Sequence, residues 1–208
     1  IMFAIVESGS ITSMPRGNKG VQIGDVKHPA DIFTAKWTES ERNAIGVYTI
    51  EIDNTNFKDE AWYNNTNITY AYDSSAKKVK GTYGTATAKA HADTTYTNTD
   101  KSNGDIPTGK NVGDVKEEGL KTILIRQVKQ EAENILNETD WYVTRKSEKS
   151  TAIPSAITTH RDAVRTKQAE METAITNAAD TPALETLYAY TKTDGVVSRP
   201  LGELPILE

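Results

Sequence analysis

A seven-residue apolar repeat in the C-terminal third of the chain is the feature that most restricts its fold. The repeated positions are Ile157, Val164, Met171 and Ala178. Residues seven apart lie on one face of an α-helix, so the pattern predicts a long helix whose narrow apolar stripe packs against one or two other helices. Ile175 falls on the same side, and Pro154 suits the first turn, where its missing amide hydrogen costs no hydrogen bond.

A second amphipathic pattern precedes this repeat. Its apolar stripe consists of Leu120, Leu124, Val128, Ala132 and Ile135. Asp114 is a candidate N-cap, and Glu117 stands three residues later, at the spacing of a capping box. The two patterns together predict a helical hairpin module over residues 114–192, with the first helix ending at Asp140 and Trp141.

Trp141 stands at this break, after one stripe ends and before the next begins. We expect its ring to fill the gap between Leu136 and Ile157 at the base of the hairpin. Trp141→Ala would then cost on the order of 3 kcal/mol or more, as large core truncations do.

A short third helix is predicted near the end of this module. Asp180 or Thr181 is its candidate cap, and Pro182 stands in its first turn. Leu184, Leu187 and Tyr188 are expected to face inward. Residues 193–208 hold two prolines and isolated aliphatic residues, so they are expected to form an extended tail that docks on another surface.

The first 53 residues have the pattern of a small, strand-rich module. Phe3 to Val6 and residues 47–52 are predicted strands, and Thr38 with Glu41 predicts the capped start of a short helix that ends at Gly46. The expected core comprises Phe3, Ile5, Ile32, Phe33, Trp37, Ile45, Tyr48 and Ile50.

Residues 54–113 have a different composition. Alternating apolar residues on either side of Asp73 to Lys77 predict a β-hairpin, which is followed by a Thr-, Asn- and Gly-rich stretch with almost no large aliphatic residues. Such a stretch buries too little apolar surface to offset its chain entropy, so a linker or a loosely held arm is expected. The chain as a whole is therefore expected to be an α+β protein.

Composition narrows the classes of partner. Only 37% of the 208 residues are apolar, and the mean hydropathy is −0.57, so we expect a protein of several parts with much solvated surface. A net charge of −5 argues against nucleic acid or an anionic membrane as the main partner. Without cysteine the chain has neither disulfides nor thiolate metal sites. No run approaches the ~18 to 20 apolar residues of a membrane span, and we expect a soluble protein without a signal peptide.

No motif for catalysis, metal or cofactor binding is found. His28, His91 and His160 lack metal-ligand spacing, and residues 53–64 lack the glycine and the final glutamate of a calcium loop, which favours an Asx-rich turn. Nucleotide-binding and acyl-transfer signatures are absent as well. We therefore expect a protein that is not an enzyme and needs no cofactor. The aromatic residues of the central region favour cross-strand packing, with a sugar-stacking face that includes Tyr70 and Tyr72 as the alternative.

One short pattern points to a family. It combines "TDWYV" with the later "THRDAVR", and its matched positions are Thr139, Asp140, Trp141, Arg161, Ala163, Val164 and Arg165. The pattern resembles the C-terminal helical module of bacteriophage tail proteins grouped as tail assembly chaperones or tail-fibre-associated proteins. His160 stands where those proteins usually have tyrosine, and the tryptophan often found just before it is missing. The N-terminal segment, with "WTESERNAIG", also looks like a module that opens many phage tail and fibre-accessory proteins.

The resemblance implies binding to other phage tail or fibre proteins, as an oligomer or as part of a larger assembly, and no catalytic residues come with it. A component of the tail, baseplate or fibre attachment, located in the virion, is the first hypothesis. A tail-fibre assembly chaperone that acts in the host cytoplasm and leaves the virion is the second. A carbohydrate-binding tail accessory is the third.

Overall fold

The computed structural model describes residues 2–207, and it divides the chain into two compact units between Thr87 and Ala88. Both units contain helices and strands, which confirms the α+β fold class.

A mixed β-sheet forms the centre of the N-terminal unit. The strands of the unit are β1 (Met2–Glu7), β2 (Ser10–Ser13), β3 (Val21–Ile23), β4 (Val26–His28), β5 (Val47–Asp53), β6 (Tyr63–Asn64), β7 (Ile68–Asp73) and β8 (Lys78–Tyr83), and β9 (Thr87–Ala88) lies at the boundary. The five-stranded sheet has the order β2-β1-β5-β8-β7. β5 and β8 run parallel, and the other neighbours in the sheet are antiparallel. β3 and β4 form a separate hairpin.

The expected N-terminal core is divided between the two faces of this sheet. Ile5 opposes Val47 and Ala4 opposes Tyr48, so alternate residues of β1 and β5 point to opposite sides. One cluster consists of Phe3, Ile5, Ile32 and Val47, against which Phe33, Trp37 and Ile45 pack. The other consists of Ala4, Val6, Ile50 and Val79, with Tyr48, Tyr70 and Tyr72 at its margin. Placing Tyr48 and Ile50 in a single core with Phe3 was therefore wrong.

The short helix α1 (Glu39–Ala44) begins as the capping-box pattern predicts. The backbone N–H of Thr38 donates to the Glu41 carboxylate at 2.7 Å, and the Glu41 N–H donates to the Thr38 hydroxyl at 3.3 Å. The N–H and then the hydroxyl of Thr38, which both donate to the Glu41 carboxylate, hold the pKa of Glu41 below its ordinary value. Gly46 follows the helix with φ +81°, a conformation that glycine adopts without strain.

The predicted hairpin around residues 73–77 is present as β7 and β8. The Asp73 carboxylate accepts the backbone N–H groups of Ser75 and Ala76, which fixes the turn. β8 also pairs along its length with β5, so the expected boundary at residue 53 falls inside one continuous sheet. Periodicity identifies the strands of such a sheet, whereas parallel pairing depends on contacts between distant segments.

The C-terminal unit is dominated by helices. Its helices are α2 (Asn98–Asn103), α3 (Leu120–Asn137), α4 (Asp140–Lys149), α5 (Ser155–Asn177) and α6 (Thr181–Tyr188), and its strands are β10 (Thr94–Thr95), β11 (Val115–Glu117), β12 (Thr191–Thr193) and β13 (Val196–Ser198). α3 packs along α5. The repeat of Ile157, Val164 and Met171 is buried, as are Leu124 and Val128 opposite it, which confirms the helical hairpin.

The start of α3 differs from the sequence prediction. Asp114 and Glu117 form no helix cap, because residues 115–117 are strand β11 and the helix begins at Leu120. The arm segment caps the helix instead: the N–H groups of Leu120 and Lys121 donate to the carbonyl oxygens of Ala90 and His91. The Gly119 N–H donates to the Asp93 carboxylate at 2.7 Å. Three otherwise free amides of the helix start are thereby bound.

The Thr-, Asn- and Gly-rich arm is consequently folded against its own unit. Thr181 is buried and its hydroxyl donates to the carbonyl oxygen of Lys89 at 2.6 Å. Thr97 and Asp100 form a capping box at the start of α2, and Lys116 binds the same aspartate at 2.6 Å. The arm has almost no large aliphatic residues to bury, so hydrogen bonds at the ends of helices hold it in place instead.

The third helix and the tail complete the unit. The Asp180 carboxylate accepts the Ala183 N–H at 2.9 Å, and Leu184 is fully buried, as expected. The expected extended tail contains instead an exposed β12–β13 hairpin, after which Leu201 is buried and its N–H donates to the Leu187 carbonyl oxygen of α6 at 3.0 Å. Arg199 lies over the ring of Tyr188 at 5.2 Å.

Candidate interaction surface at α4

Arg161 joins three consecutive helices at the point where the sequence predicts a break. Its Nη1 donates to the Leu136 carbonyl oxygen at the end of α3 and to the Thr139 hydroxyl before α4, both at 2.7 Å. Its Nη2 lies 2.8 Å from the Asp140 carboxylate. Only 8% of Arg161 is exposed, so these partners also satisfy a charge that has been removed from water. We call these three contacts the helix-junction clamp.

Thr139 is the centre of the clamp. It is 3% exposed, and its hydroxyl donates to the Leu136 carbonyl oxygen at 3.0 Å while it accepts from Arg161. The last carbonyl groups of a helix lack the usual backbone donor four residues later, and the Leu136 carbonyl accepts instead from Arg161 and from the hydroxyl and the N–H of Thr139. The clamp therefore fixes the direction in which α4 leaves α3.

Trp141 does not pack at the base of the hairpin, and that expectation was wrong. The residue is in the first turn of α4 and is 52% exposed. Arg161 and Thr139 lie at this helix end instead, and the guanidinium group donates to both Leu136 and Thr139, whereas an indole N–H can donate only one hydrogen bond.

The exposed ring of Trp141 belongs to a stack on the surface of α4. Its centroid is 3.8 Å from that of Tyr142, with an interplanar angle of 30°. The Arg145 guanidinium lies 4.7 Å from the Trp141 centroid and 5.2 Å from the Tyr142 centroid. A cation over aromatic faces restrains both rings. Trp141 is the exposed member of the group, and Tyr142 and Arg145 are half-buried beside it. We call Trp141, Tyr142 and Arg145 the α4 stack.

The surroundings of the α4 stack are basic. Lys146 and Lys149 follow it in the last turn of the helix, whereas Val143, which is 44% exposed, lies on another face of α4. Tyrosine, tryptophan and arginine are the residues most enriched at energetically important positions of protein interfaces. The surface is therefore suited to bind another protein. Tyr142 and Arg145 were not singled out from the sequence, although Arg145 follows Trp141 at the i, i+4 spacing of a helix face.

The remaining residues of the family-like pattern are divided between packing and solvent. Val164 is fully buried on the α5 stripe, whereas Ala163 is exposed on the opposite side. Arg165 is also exposed and forms an i, i+3 ion pair with Asp162 at 3.3 Å. Thr139, Asp140 and Arg161 thus meet in space, Trp141 lies beside them on α4, and Arg165 takes no part in the clamp.

The histidines and acidic residues that were considered as metal ligands do not form a metal site among the described residues. Within residues 2–207, no group of three or more His, Asp or Glu side chains is arranged to hold a metal ion. Asp53 accepts the Thr55 N–H at 2.9 Å and Asp59 accepts the Ala61 N–H at 2.8 Å, which are Asx turns. Across the same residues, no helix combines the length and apolar composition needed to cross a membrane.

Several central aromatic residues pack, as the cross-strand interpretation predicts. Trp62 and Tyr63 are buried, and Tyr48 pairs with Tyr72 at 4.6 Å between centroids. Phe57 similarly lies 5.1 Å from Tyr83. These rings therefore contribute mainly to the interior and margins of the N-terminal unit.

Comparison with known proteins adds no relative: no family model matches the chain, and neither a curated protein nor a solved structure shows significant similarity to it.

Proposed function

We propose that this chain is a structural or accessory protein of a bacteriophage tail, baseplate or fibre attachment, and that it acts by binding other tail proteins during virion assembly. The α4 stack is the observation that carries the proposal, since the ordered ring of Trp141 is left 52% exposed, with Tyr142 and Arg145 half-buried against it, beside the residues that resemble the tail family. Burial of such a face by a partner would remove a large aromatic area from water.

The helix-junction clamp gives this proposal a physical basis. Arg161, Thr139 and Asp140 hold the start of α4 by hydrogen bonds, so the stack is carried on a fixed element rather than a loop. Presentation on a fixed helix lowers the conformational entropy that a partner must remove on binding. On this proposal, Thr139, Asp140 and Arg161 of the family-like pattern orient α4, and Trp141 contacts the partner.

The first test is the composition of the virion. Particles of the phage that encodes the chain would be purified and analysed by quantitative mass spectrometry. A tail component is expected at a fixed ratio to the other tail proteins. Absence from mature particles, together with a complex between this chain and unassembled fibre protein, would instead establish the assembly-chaperone alternative.

The second test addresses the surface itself. Wild-type and Trp141→Ala chains carrying an affinity tag would be recovered from infected cells, and the tail proteins that accompany them would be quantified. Loss of these proteins is expected for Trp141→Ala. Phe57→Ala removes a 41% exposed aromatic ring from the other unit and is the matched control. Equal recovery of tail proteins with all three chains would contradict the proposal.

A further inference from the structure

A cavity of about 570 Å³ lies in the N-terminal unit, between α1 and the turn that joins β7 to β8. This volume falls within the range of about 300 to 1,000 Å³ that is usual for small-molecule sites. Ser40 and Asn43 line it from α1, Tyr48 from β5, and Lys77 and Lys78 from the turn and the start of β8. The lining is thus mainly polar, with one aromatic residue.

The walls of this cavity are fixed by contacts within the unit. The capping box of Thr38 and Glu41 holds the start of α1, and the Asp73 carboxylate holds the β7–β8 turn through two backbone N–H groups. Lys77 adopts φ +53°, a left-handed conformation that is strained for a residue with a side chain. A pre-formed cavity requires less ordering when a ligand enters.

The charges around the cavity balance one another. Lys78 forms an ion pair with Glu51, and the pKa of Lys78 is raised by Glu51 and to a lesser extent by Glu39. Lys77 and Glu39 line the cavity with one charge of each sign, and Lys78, which also lines it, is balanced by Glu51 from outside the lining. A site with balanced charges offers no net attraction to an anion or a cation, so it favours a ligand that is polar and neutral.

The lining supplies both donors and acceptors of hydrogen bonds. The Ser40 hydroxyl and the Asn43 amide each do both. The phenol of Tyr48 is neutral in the physiological range, as phenols ordinarily are, and its hydrogen bond with Tyr72 raises the pKa of Tyr48 further, to about 12. The Tyr48 ring adds an apolar surface at 4.6 Å from the ring of Tyr72.

We propose that this cavity binds a neutral saccharide. Saccharides combine hydroxyl groups, which both donate and accept, with C–H faces that pack on aromatic rings, and neutral ones match the balanced charge. The site differs from the sugar-stacking face expected from the sequence, because the Tyr70 ring covers Gly81 in the sheet and does not line the cavity. This inference does not depend on the function proposed above.

The test is binding to an array of neutral oligosaccharides, followed by saturation-transfer NMR with the glycans that bind. Ser40 is exposed on α1, so Ser40→Trp fills the cavity with little effect on folding and should abolish the signal. Ser10→Trp makes the same change at an exposed position at the start of β2 and should retain it. Asn43→Ala should weaken binding by about threefold to tenfold, as expected for one lost hydrogen bond.

Three results would overturn the inference. The first is that no neutral glycan binds. The second is that glycans bind Ser40→Trp as well as wild type, which would place them elsewhere. The third is that inorganic sulfate, and no neutral glycan, shifts the backbone amide signals of Lys77 and Lys78, which would make the cavity an anion site.

Discussion

Arg161 and Thr139 are joined by a buried 2.7 Å hydrogen bond that links the second turn of α5 to the junction before α4. The same guanidinium group binds Leu136 and Asp140, so one side chain satisfies a helix end and orients the next helix. Arg161 and Thr139 therefore contribute to the folding of the module, whereas Trp141, the next residue after Asp140, is exposed to solvent.

Arg161→Ala should destabilise the C-terminal unit by about 2 to 4 kcal/mol, because the Thr139 hydroxyl would lose its buried donor, the Leu136 carbonyl one of its donors and Asp140 its ion-pair partner. Urea unfolding of the full chain, followed by circular dichroism at 222 nm, measures this loss. Arg165→Ala is the matched control, since that side chain is exposed and its ion pair should contribute less than about 1 kcal/mol. Equal losses for the two variants would contradict the role of the clamp.

Trp141→Ala should lower the free energy of unfolding by less than about 1 kcal/mol, because half of the residue is already exposed to solvent. The measurement is the same urea titration, with partner recovery measured in parallel. Lost recovery with unchanged stability is the expected pattern. A loss of 3 kcal/mol or more would instead mean that Trp141 is part of the core, as the sequence alone had suggested.

Gly119→Ala should destabilise the start of α3 by on the order of 2 kcal/mol. A Cβ atom at this position would overlap the backbone of Ala92, and backbone cannot move aside as a flexible side chain can. Gly109→Ala is the comparison: it meets open space, so it should cost only the left-handed strain of about 1 to 2 kcal/mol. Amide hydrogen exchange should show faster opening at residues 119–121 in Gly119→Ala, and unchanged exchange there would contradict the steric account.

The ion pair of Asp100 with Lys116 should make stability depend on pH in the acid range. Lys116 and then Thr97 hold the pKa of Asp100 well below its ordinary value, so the carboxylate stabilises the folded state above the unfolded pKa of about 3.9. This contribution decreases as the pH falls below about 4. Wild type should therefore be more stable than Asp100→Asn at pH 7, and the difference should shrink between about pH 4 and pH 2 in urea titrations. A difference that is constant with pH would contradict this assignment.

The sequence predicted the helices whose apolar residues repeat regularly over several turns and the helix starts that are capped by side chains. The stripe of Ile157, Val164 and Met171 identified α5, and the capping residues of α1 and α6 were found because side chains supply those hydrogen bonds. The start of α3 was missed because the carbonyl groups of Ala90 and His91 cap it, and backbone groups leave no pattern in the sequence.

The candidate surface was predicted only in part. Trp141 was identified from the sequence but was placed in the interior, since an aromatic residue at a helix break resembles a core residue until its neighbours are known. The buried partner at this position is Arg161, which is distant in sequence and whose role depends on how α5 packs beside α3. Local periodicity contains no information on such a contact between distant segments.

The capping of α3 by the arm also determines which changes the arm can accept over evolution. Because backbone carbonyl groups of residues 90 and 91 make the contacts, most side-chain replacements there leave the cap intact. The number of residues between those carbonyl groups and Asp93 is restricted, however. The three acceptors must reach the consecutive N–H groups of residues 119–121. Variation in this stretch should consist of substitutions, whereas insertions and deletions between residues 90 and 93 should be selected against.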